Sequence, residues 1–276
     1  MATKITPGES YGFFTDTSIC IGCKACETAC KEWNQLEGNS PAFLADSFDN
    51  TGQLDSQNWR HVKFIEQVPD QPATTGNGTA WLMMSDVCKH CKQASCMEVC
   101  PTGAIVRTEF DTVFIQQDVC NGCRNCVAAC PYSVIAMNGG TAHKCTLCYD
   151  RLQGGLEPAC AKACPTQSIQ FGPLAELQKA ADVRLAALHT AGVTKAQLYG
   201  RDDQVYGGLN AFFLLMDKPE TYGLPNKDNA KLPSRNDFGG YVGAAVTGLL
   251  AVVGGLVAFR RRGEGAQSGP EDMPAR

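Results

Sequence analysis

The fold of this chain is decided by the stretch Cys120-Asn-Gly-Cys123-Arg-Asn-Cys126-Val-Ala-Ala-Cys130-Pro131. Three cysteines fall at every third position, a fourth follows after three further residues, and proline comes next. This is the spacing C-x2-C-x2-C-x3-C-P that ligates bacterial iron–sulfur clusters. A tight loop of this length offers three thiolates to one cubane, and Gly122 leaves room for backbone beside it. The fourth cysteine lies beyond the loop, and in two-cluster proteins it ligates the other cluster.

The other cysteines follow a similar arrangement, and all sixteen fall into four groups of four. In chain order the groups are Cys20, Cys23, Cys26 and Cys30; Cys88, Cys91, Cys96 and Cys100; Cys120, Cys123, Cys126 and Cys130; and Cys145, Cys148, Cys160 and Cys164. A cubane takes four thiolates, and no cysteine is left over. The sequence therefore predicts four [4Fe-4S] clusters, held through their iron atoms by these sixteen cysteines.

Two other uses of cysteine compete with this interpretation. A cysteine-rich chain can be a disulfide-stapled secreted protein, but such a framework does not require repeated C-x2-C-x2-C-x3-C blocks. Structural zinc usually takes two separated pairs of ligands, and three cysteines within seven residues fit that poorly. His90, inside the second group, is interpreted as a solvated or hydrogen-bonded loop residue, because its group already has four cysteines.

Three of the groups are followed by the repeated pattern C-P-x-x-x-I, which ends at Ile105, Ile135 and Ile169. Repetition of one unit indicates internal duplication of a ferredoxin module. The first group has Lys31 where the others have proline, which weakens the signal that ends a helix but removes no ligand. The predicted fold class is α+β, with duplicated bacterial ferredoxin-like modules, loop insertions and one C-terminal transmembrane helix.

Charge and motifs exclude several classes of function. The formal net charge is −4 with neutral cysteines, and four oxidised cubanes would bring it to about −12. This argues against nucleic-acid binding, which favours a basic surface. No Walker loop or dinucleotide-binding fingerprint is present. Residues 1–14 show neither a signal-peptide pattern nor a twin arginine, so the chain is expected not to direct its own export.

Outside the cysteine groups the sequence predicts few regular elements. Residues 1–16 are interpreted as a polar lead-in, residues 59–68 and 81–84 as paired strands, and residues 209–216 as a buried strand. Pro173 is expected to open a helix that stops at Gly192. The apolar face of that helix is Leu174, Leu177, Ala181, Leu185 and Leu188.

The predicted domain organisation follows from these elements. Residues 1–226 form the four-cluster domain, with one module around residues 17–47 and 140–175 and another around residues 80–139. The polar segment 217–238 is interpreted as a linker. In the division into domains, residues 227–238 are assigned to this linker. Residues 239–259 form the transmembrane helix, and residues 260–276 form a cytoplasmic tail.

The transmembrane prediction rests on 21 consecutive residues without a charge. As a helix they span about 31 Å, close to the ~30 Å hydrocarbon core of a bilayer. A buried core helix is the competing interpretation. The many small residues favour a partner helix as neighbour. Arg260, Arg261 and Arg262 follow directly, so the positive-inside tendency places the C-terminus in the cytoplasm and the cluster domain outside.

The sequence resembles the iron–sulfur (beta) subunit of respiratory, membrane-bound formate dehydrogenase, within the wider four-cluster family that serves molybdopterin oxidoreductases. The resemblance covers about residues 16–262. It is carried by Cys20–Cys26 with Glu32-Trp33-Asn34, and by Lys144–Cys148, Glu157–Cys160 and Asp217–Pro225.

The resemblance implies a nested pattern of ligands. Cys20, Cys23 and Cys26 would share a cluster with Cys164; Cys145, Cys148 and Cys160 with Cys30; Cys88, Cys91 and Cys96 with Cys130; and Cys120, Cys123 and Cys126 with Cys100. Spacing alone favours pairing of the second and third groups, which are 19 residues apart. On spacing, the third group also remains free to pair with the fourth.

The resemblance implies an electron-transfer subunit in the cytoplasmic membrane, with no catalytic residue of its own. Electrons would come singly from a formate-oxidising molybdopterin (Mo or W) subunit and pass through four clusters to a membrane cytochrome b and quinone. One alternative is the same role for another molybdopterin oxidoreductase, such as a sulfur-compound or DMSO-type reductase. The other is a zinc-stabilised membrane scaffold without a redox role.

Overall fold

The computed structural model describes residues 5–38, 48–67, 80–227, 230, 232 and 238–265, and the chain divides into two units, residues 1–231 and 232–276. The strands are β1 (Tyr11–Asp16), β2 (Arg60–Gln67), β3 (Ala80–Val87), β4 (Ile105–Arg107), β5 (Val113–Ile115), β6 (Ala136–Asn138), β7 (Thr141–His143), β8 (Ile169–Pro173), β9 (Gln197–Tyr199) and β10 (Ala211–Leu215). The helices are α1 (Ala25–Asn34), α2 (Ser95–Glu98), α3 (Asn125–Ala129), α4 (Tyr149–Gln153), α5 (Ala159–Lys162), α6 (Leu174–Thr190) and α7 (Phe238–Gly265). Short 3-10 turns lie at Thr17–Ile19 and Pro219–Tyr222.

A four-stranded sheet with the order β8–β1–β10–β9 forms an apolar centre of the first unit. β1 is parallel to β10 and antiparallel to β8, and β9 is antiparallel to β10. Every residue of β1 and β10 is buried, and the rings of Phe14 and Phe212 stack across the parallel pair at 5.3 Å. α6 packs against β1 and β8, with Leu174, Leu177 and Ala181 buried.

The expected polar lead-in is wrong over residues 11–16, because these residues form the central strand β1. Tyr11, Phe13 and Phe14 make an apolar run too short to identify a strand by periodicity. Its sheet partners β8 and β10 follow more than one hundred residues later in the chain. Burial between distant strands, which local pattern does not report, therefore decides the structure of this segment.

The predicted strand pair around residues 59–68 and 81–84 is confirmed. β2 and β3 pair antiparallel from Arg60 with Val87 to Gln67 with Ala80, and β3 extends beyond the predicted Met84. Two shorter hairpins, β4–β5 and β6–β7, were not expected. The isoleucines of the C-P-x-x-x-I pattern begin or directly precede a strand: Ile105 opens β4, Ile135 precedes β6 and Ile169 opens β8.

The segment after β10 differs from the predicted linker. Tyr222 is buried, its hydroxyl accepts a hydrogen bond from the Met216 N–H at 3.1 Å, and its carbonyl accepts one from Lys63 Nζ at 3.0 Å. Leu224 is buried as well. The start of the segment 217–238 is thus part of the folded unit, whereas most of residues 227–238 lie outside the described residues.

α6 agrees with its prediction at both ends. It begins directly after Pro173, and Gly192 follows its last turn with φ +86°. Leu174, Leu177 and Ala181 are buried, but Leu185 and Leu188 are only partly buried. The apolar face therefore weakens toward the C-terminal end of the helix.

α7 runs from Phe238 to Gly265 and is longer at both ends than the predicted residues 239–259. Its stretch Gly239–Arg262 has a mean hydropathy of 2.2 over its most apolar window, and none of that window is buried. A core helix would be mostly buried, so the exposure favours the membrane interpretation. This helix is long and apolar enough to cross a bilayer. Residues 266–276 of the expected tail lie outside the described residues.

Two structural features require a glycine at position 122. Its φ is +71°, and a Cβ at this position would collide with the carbonyl oxygen of Gly140, in the turn between β6 and β7. From the sequence, Gly122 was expected to let the backbone approach a cluster. The structure shows that it also leaves space for the turn at Gly140.

We expect Gly122→Ala to lower the free energy of unfolding by roughly 2–4 kcal/mol, because a left-handed backbone strain and a steric clash add. Gly103→Ala is the matched control, since Gly103 has φ +68° but open space around it. Gly103→Ala should lower the free energy of unfolding by only about 1–2 kcal/mol. The measurement is the midpoint of urea unfolding, followed by tryptophan fluorescence. Equal losses of unfolding free energy in the two variants would contradict a steric clash at Gly122.

Candidate metal centres

In each cysteine group, the residue directly before the second cysteine has a left-handed backbone. These residues are Gly22, His90, Gly122 and Leu147, with φ of +67°, +44°, +71° and +58°. A left-handed residue in a turn directs successive backbone N–H groups into the same concave space, which suits an anion. His90 and Leu147 hold this conformation without being glycine, which is unfavourable for a residue with a side chain. The four groups therefore share this left-handed turn before the second cysteine despite their different sequences.

A second turn recurs after the fourth cysteine of three groups. Gly103, Ser133 and Gln167 are left-handed, with φ of +68°, +52° and +54°. Each donates its N–H to the carbonyl of the cysteine three residues earlier, at 3.4, 3.2 and 3.2 Å. The first group departs from this pattern as Lys31 predicted, because α1 continues past Cys30 to Asn34.

Two cavities in the first unit are lined by cysteines from different groups. One is lined by four thiols, which we call set A: Cys20, Cys23, Cys26 and Cys164. Another is lined by set D: Cys100, Cys120, Cys123 and Cys126. Ile169 lines the first cavity and Ile105 the second, so these repeated isoleucines contact the space that the thiols enclose.

The remaining eight thiols form two further sets. Burial raises the pKa of the Cys30 thiol well above its usual value. Three neighbours raise it further and complete set B: Cys145, Cys160 and Cys148. Burial likewise raises the pKa of the Cys91 thiol, and its neighbours complete set C: Cys88, Cys96 and Cys130. The structure thus brings the first group together with the fourth, and the second with the third.

The sets follow one another in the order A, B, C, D. Burial raises the pKa of the Cys26 thiol of set A to about 12, and Cys160 of set B is near enough to contribute. Burial raises the pKa of Cys145 of set B to about 12, and Cys88 of set C raises it further. Burial raises the pKa of Cys96 of set C to about 12, and Cys126 of set D is near enough to contribute. Each set therefore adjoins the next.

The two sets at the ends of this order, A and D, contain the exposed thiols. Cys23 of set A and Cys123 of set D are exposed, whereas every thiol of set B is buried. Burial raises the pKa of the Cys30, Cys145 and Cys148 thiols of set B, so these three are protonated at neutral pH when no metal is bound. A metal that binds them must displace those protons, as thiolate sites generally require.

Among the described residues, the buried donors Arg60 Nε and His90 Nε2, both close to the thiol sets, have no hydrogen-bond partner. His90 Nδ1 accepts the Val113 N–H at 3.0 Å, so the ring proton is on Nε2. Burial lowers the pKa of His90 well below its usual value, and Lys144 lowers it further, so the ring is neutral. The sequence interpretation of a hydrogen-bonded histidine holds, but the residue is buried and not solvated.

These features fit an anionic iron–sulfur group. Buried donors are normally paired, and the sulfur atoms of a cluster accept hydrogen bonds. The described residues include all sixteen cysteines, yet no three or more Cys, His, Asp or Glu side chains among them are arranged to hold a single ion. Zinc requires ligand atoms converging within about 2.3 Å of one centre. The arrangement of the thiols thus suits a group larger than one metal ion.

Arg60 and Lys144 are two buried cations that the sequence analysis did not single out. A signal for Arg60 existed, because alternate residues of a strand share a face and Arg60 is two positions from the apolar Val62. For Lys144 the only signal is its position directly before Cys145. Lys144 Nζ donates to the carbonyls of Val113 and Cys145.

Two family models match the sequence, and both are described as a 4Fe-4S dicluster domain. One matches residues 19–104 and the other residues 79–174. Together they include all four cysteine groups. The protein is thus built from ferredoxin-like 4Fe-4S dicluster domains, as the cysteine spacing predicted.

The similar proteins of known role are iron–sulfur subunits and a related reductase subunit. A formate dehydrogenase iron–sulfur subunit of Haemophilus influenzae is 39% identical over 216 residues, which are 76% of this chain and 67% of the relative. The nitrate-inducible formate dehydrogenase iron–sulfur subunit of Escherichia coli is 35% identical over 249 residues, 88% of this chain and 81% of the relative. The B subunit of the anaerobic dimethyl sulfoxide reductase of Escherichia coli is 38% identical over 171 residues, 61% of this chain and 76% of the relative. The resemblance inferred from the sequence is confirmed, and the chain belongs to the family of formate dehydrogenase iron–sulfur subunits, the electron-transfer subunits of an oxidoreductase complex.

Proposed function

We propose that each of the four sets holds one [4Fe-4S] cluster through its four cysteine thiolates, and that single electrons pass along the sets. The observation that carries this proposal is the continuous order of the sets from A to D. The clusters supply the redox chemistry, and the potential of each depends on its hydrogen bonds, charge and exposure. The work of the chain is to hold the clusters close together, exclude water from the middle ones and set those potentials.

The short helices support the spacing of such an electron path. A cysteine near the start of a helix belongs to one set, and the cysteine four residues later belongs to the neighbouring set. The four pairs are Cys26 with Cys30, Cys96 with Cys100, Cys126 with Cys130, and Cys160 with Cys164. Four residues of helix advance about 6 Å. Neighbouring clusters would thus be held at a fixed short separation by one rigid turn of backbone.

Formate is the substrate we propose for the catalytic partner, which would be a molybdopterin subunit containing molybdenum or tungsten. The support is the extent of similarity. The nitrate-inducible formate dehydrogenase subunit of Escherichia coli matches 88% of this chain, whereas the dimethyl sulfoxide reductase subunit matches 61%. The alternative, the same electron path in a DMSO-type reductase with the current reversed, predicts a different donor and is distinguished by adding formate.

The candidate membrane helix supports a location at the cytoplasmic membrane and a membrane partner, for which we propose a cytochrome b that reduces quinone. α7 exposes large apolar side chains such as Leu249, Leu256 and Phe259. The arginines at 260–262 favour a cytoplasmic C-terminus and an extracytoplasmic cluster domain. Export would then occur after folding with a partner that carries a twin-arginine signal.

Cys126→Ser should remove one cluster, because Cys126 is a buried thiol of set D. We expect about a quarter of the iron to be lost if four equal clusters are present. Quinone reduction by the intact complex should fall by more than an order of magnitude, while formate oxidation with a dye that accepts directly from the catalytic subunit continues. Val119→Ser, an exposed position beside Cys120, is the matched control and should keep its iron. Unchanged quinone reduction in Cys126→Ser would contradict the electron path.

The proposed orientation predicts where protease reaches the C-terminus. An epitope added after Arg276 should be removed by trypsin in inside-out membrane vesicles and protected in right-side-out vesicles, because the arginines at 260–262 would face the cytoplasm. Permeabilised right-side-out vesicles are the control and should lose the epitope. Cleavage in sealed right-side-out vesicles would place the C-terminus outside and overturn the orientation.

A further inference from the structure

Arg60, on β2, is buried where sets A and B meet, with 1% of its surface exposed. Its Nη2 donates to Cys160 Sγ of set B at 3.3 Å. Its Nη1 donates to Ser85 Oγ at 3.3 Å, and Ser85 Oγ is 3.2 Å from Cys26 Sγ of set A. The guanidinium also lies over the Phe13 ring, 4.7 Å from its centroid. One cation thus contacts both sets, directly at B and through a serine hydroxyl at A.

No carboxylate neutralises this charge within the part of the chain that the structure describes. Arg60 is absent from the ion pairs of that part. An arginine is charged at any physiological pH, and burial of an uncompensated charge is strongly unfavourable. The groups that act on the guanidinium are thiols of both sets: Cys160, Cys26, Cys145 and Cys30. Within the described residues, the groups placed to supply the counter-charge are therefore those thiolates and what they hold.

Lys89, beside set C, is a buried cation that differs from Arg60 in having a carboxylate partner. It is equally buried, but it forms an ion pair with Asp86, which also pairs with Lys63 at 3.1 Å. A carboxylate of the protein therefore compensates the charge of Lys89. Arg60 has no such partner among the described residues, so its full charge acts on the neighbouring sets through an interior of low dielectric constant.

We propose, on the basis of the proposed function, that Arg60 is a positioning residue that serves as shared counter-ion to the clusters of sets A and B and raises the reduction potential of both. When an electron moves between neighbouring clusters, the donor is oxidised by one electron and the acceptor reduced by one. Arg60 keeps its proton and its charge throughout. A reduced cluster has one more negative charge than an oxidised one, so a fixed cation beside it stabilises the reduced state. Its removal should make A and B harder to reduce and change C and D much less.

The test is a redox titration of the intact, anaerobically purified membrane complex, followed by electron paramagnetic resonance. Arg60→Met removes the charge and keeps an apolar side chain against Phe13. We expect two of the four potentials to fall, each by at least a tenfold change in the reduction equilibrium, which is 59 mV for one electron. Arg60→Lys keeps the charge and should restore most of the shift. Arg201→Met is the control, since Arg201 is an exposed cation paired with Asp182, and it should move no potential. Cys23→Ser and Cys148→Ser assign the signals of sets A and B.

The outcomes separate this inference from the function on which it rests. If the unmodified complex lacks four cubane signals, the proposed function fails first. If four signals are present and Arg60→Met retains them at unchanged potentials, or shifts all four equally, the counter-ion role is wrong. If Arg60→Met loses iron, Arg60→Gln gives the same test with a hydrogen-bond donor retained. Loss of iron from sets A and B in both neutral variants, with retention in Arg60→Lys, supports the role; loss in all three overturns it.

Discussion

A loop with closely spaced cysteines can direct their thiols to one centre only if its backbone turns left-handed between them. The structure meets this constraint four times, at Gly22, His90, Gly122 and Leu147. Glycine accepts this conformation freely, but histidine and leucine do so at a cost of about 1–3 kcal/mol each. That strain is tolerable where the surrounding contacts fix the loop: Val113 donates to His90, and Leu147 is buried and donates its N–H to Cys145 Sγ at 3.3 Å. Three helices, α1, α3 and α4, begin within two residues of the second cysteine of their loops.

The parts of the fold that sequence predicted are those with a local cause. Cysteine spacing predicted the loops and their number, proline after the fourth cysteine predicted where helices end, and Lys31 predicted the longer α1. The parts it missed have distant causes. β1 is a strand because β8 and β10 bury it on both edges, and nothing in Tyr11–Asp16 alone reports those partners. Tyr222 likewise appeared to belong to a polar linker, because its contacts with Met216 and Lys63 form only in the folded protein.

The same division applies to the candidate metal centres. The sixteen cysteines were identifiable from sequence, since their type and spacing are sufficient signals. Spacing left open which groups combine, and the thiols of the first and fourth groups, more than one hundred residues apart, meet only through folding. The buried cations were not identified, because a lysine or arginine in a sequence is ordinarily a surface residue. Their position beside the thiols changes the electrostatics: Lys89 is neutralised by Asp86, whereas the groups acting on Arg60 between sets A and B are thiols.

We propose that this protein holds four [4Fe-4S] clusters in one continuous electron path fed by formate. Electron paramagnetic resonance of the intact membrane complex, purified without oxygen and measured before and after formate is added, tests it most directly. Formate alone should produce overlapping signals of several reduced cubanes, and dithionite should complete the reduction to four reduced cubanes per chain. Signals that appear only with dithionite would contradict formate as the donor, and fewer than four cubanes after full reduction would contradict the four-cluster path.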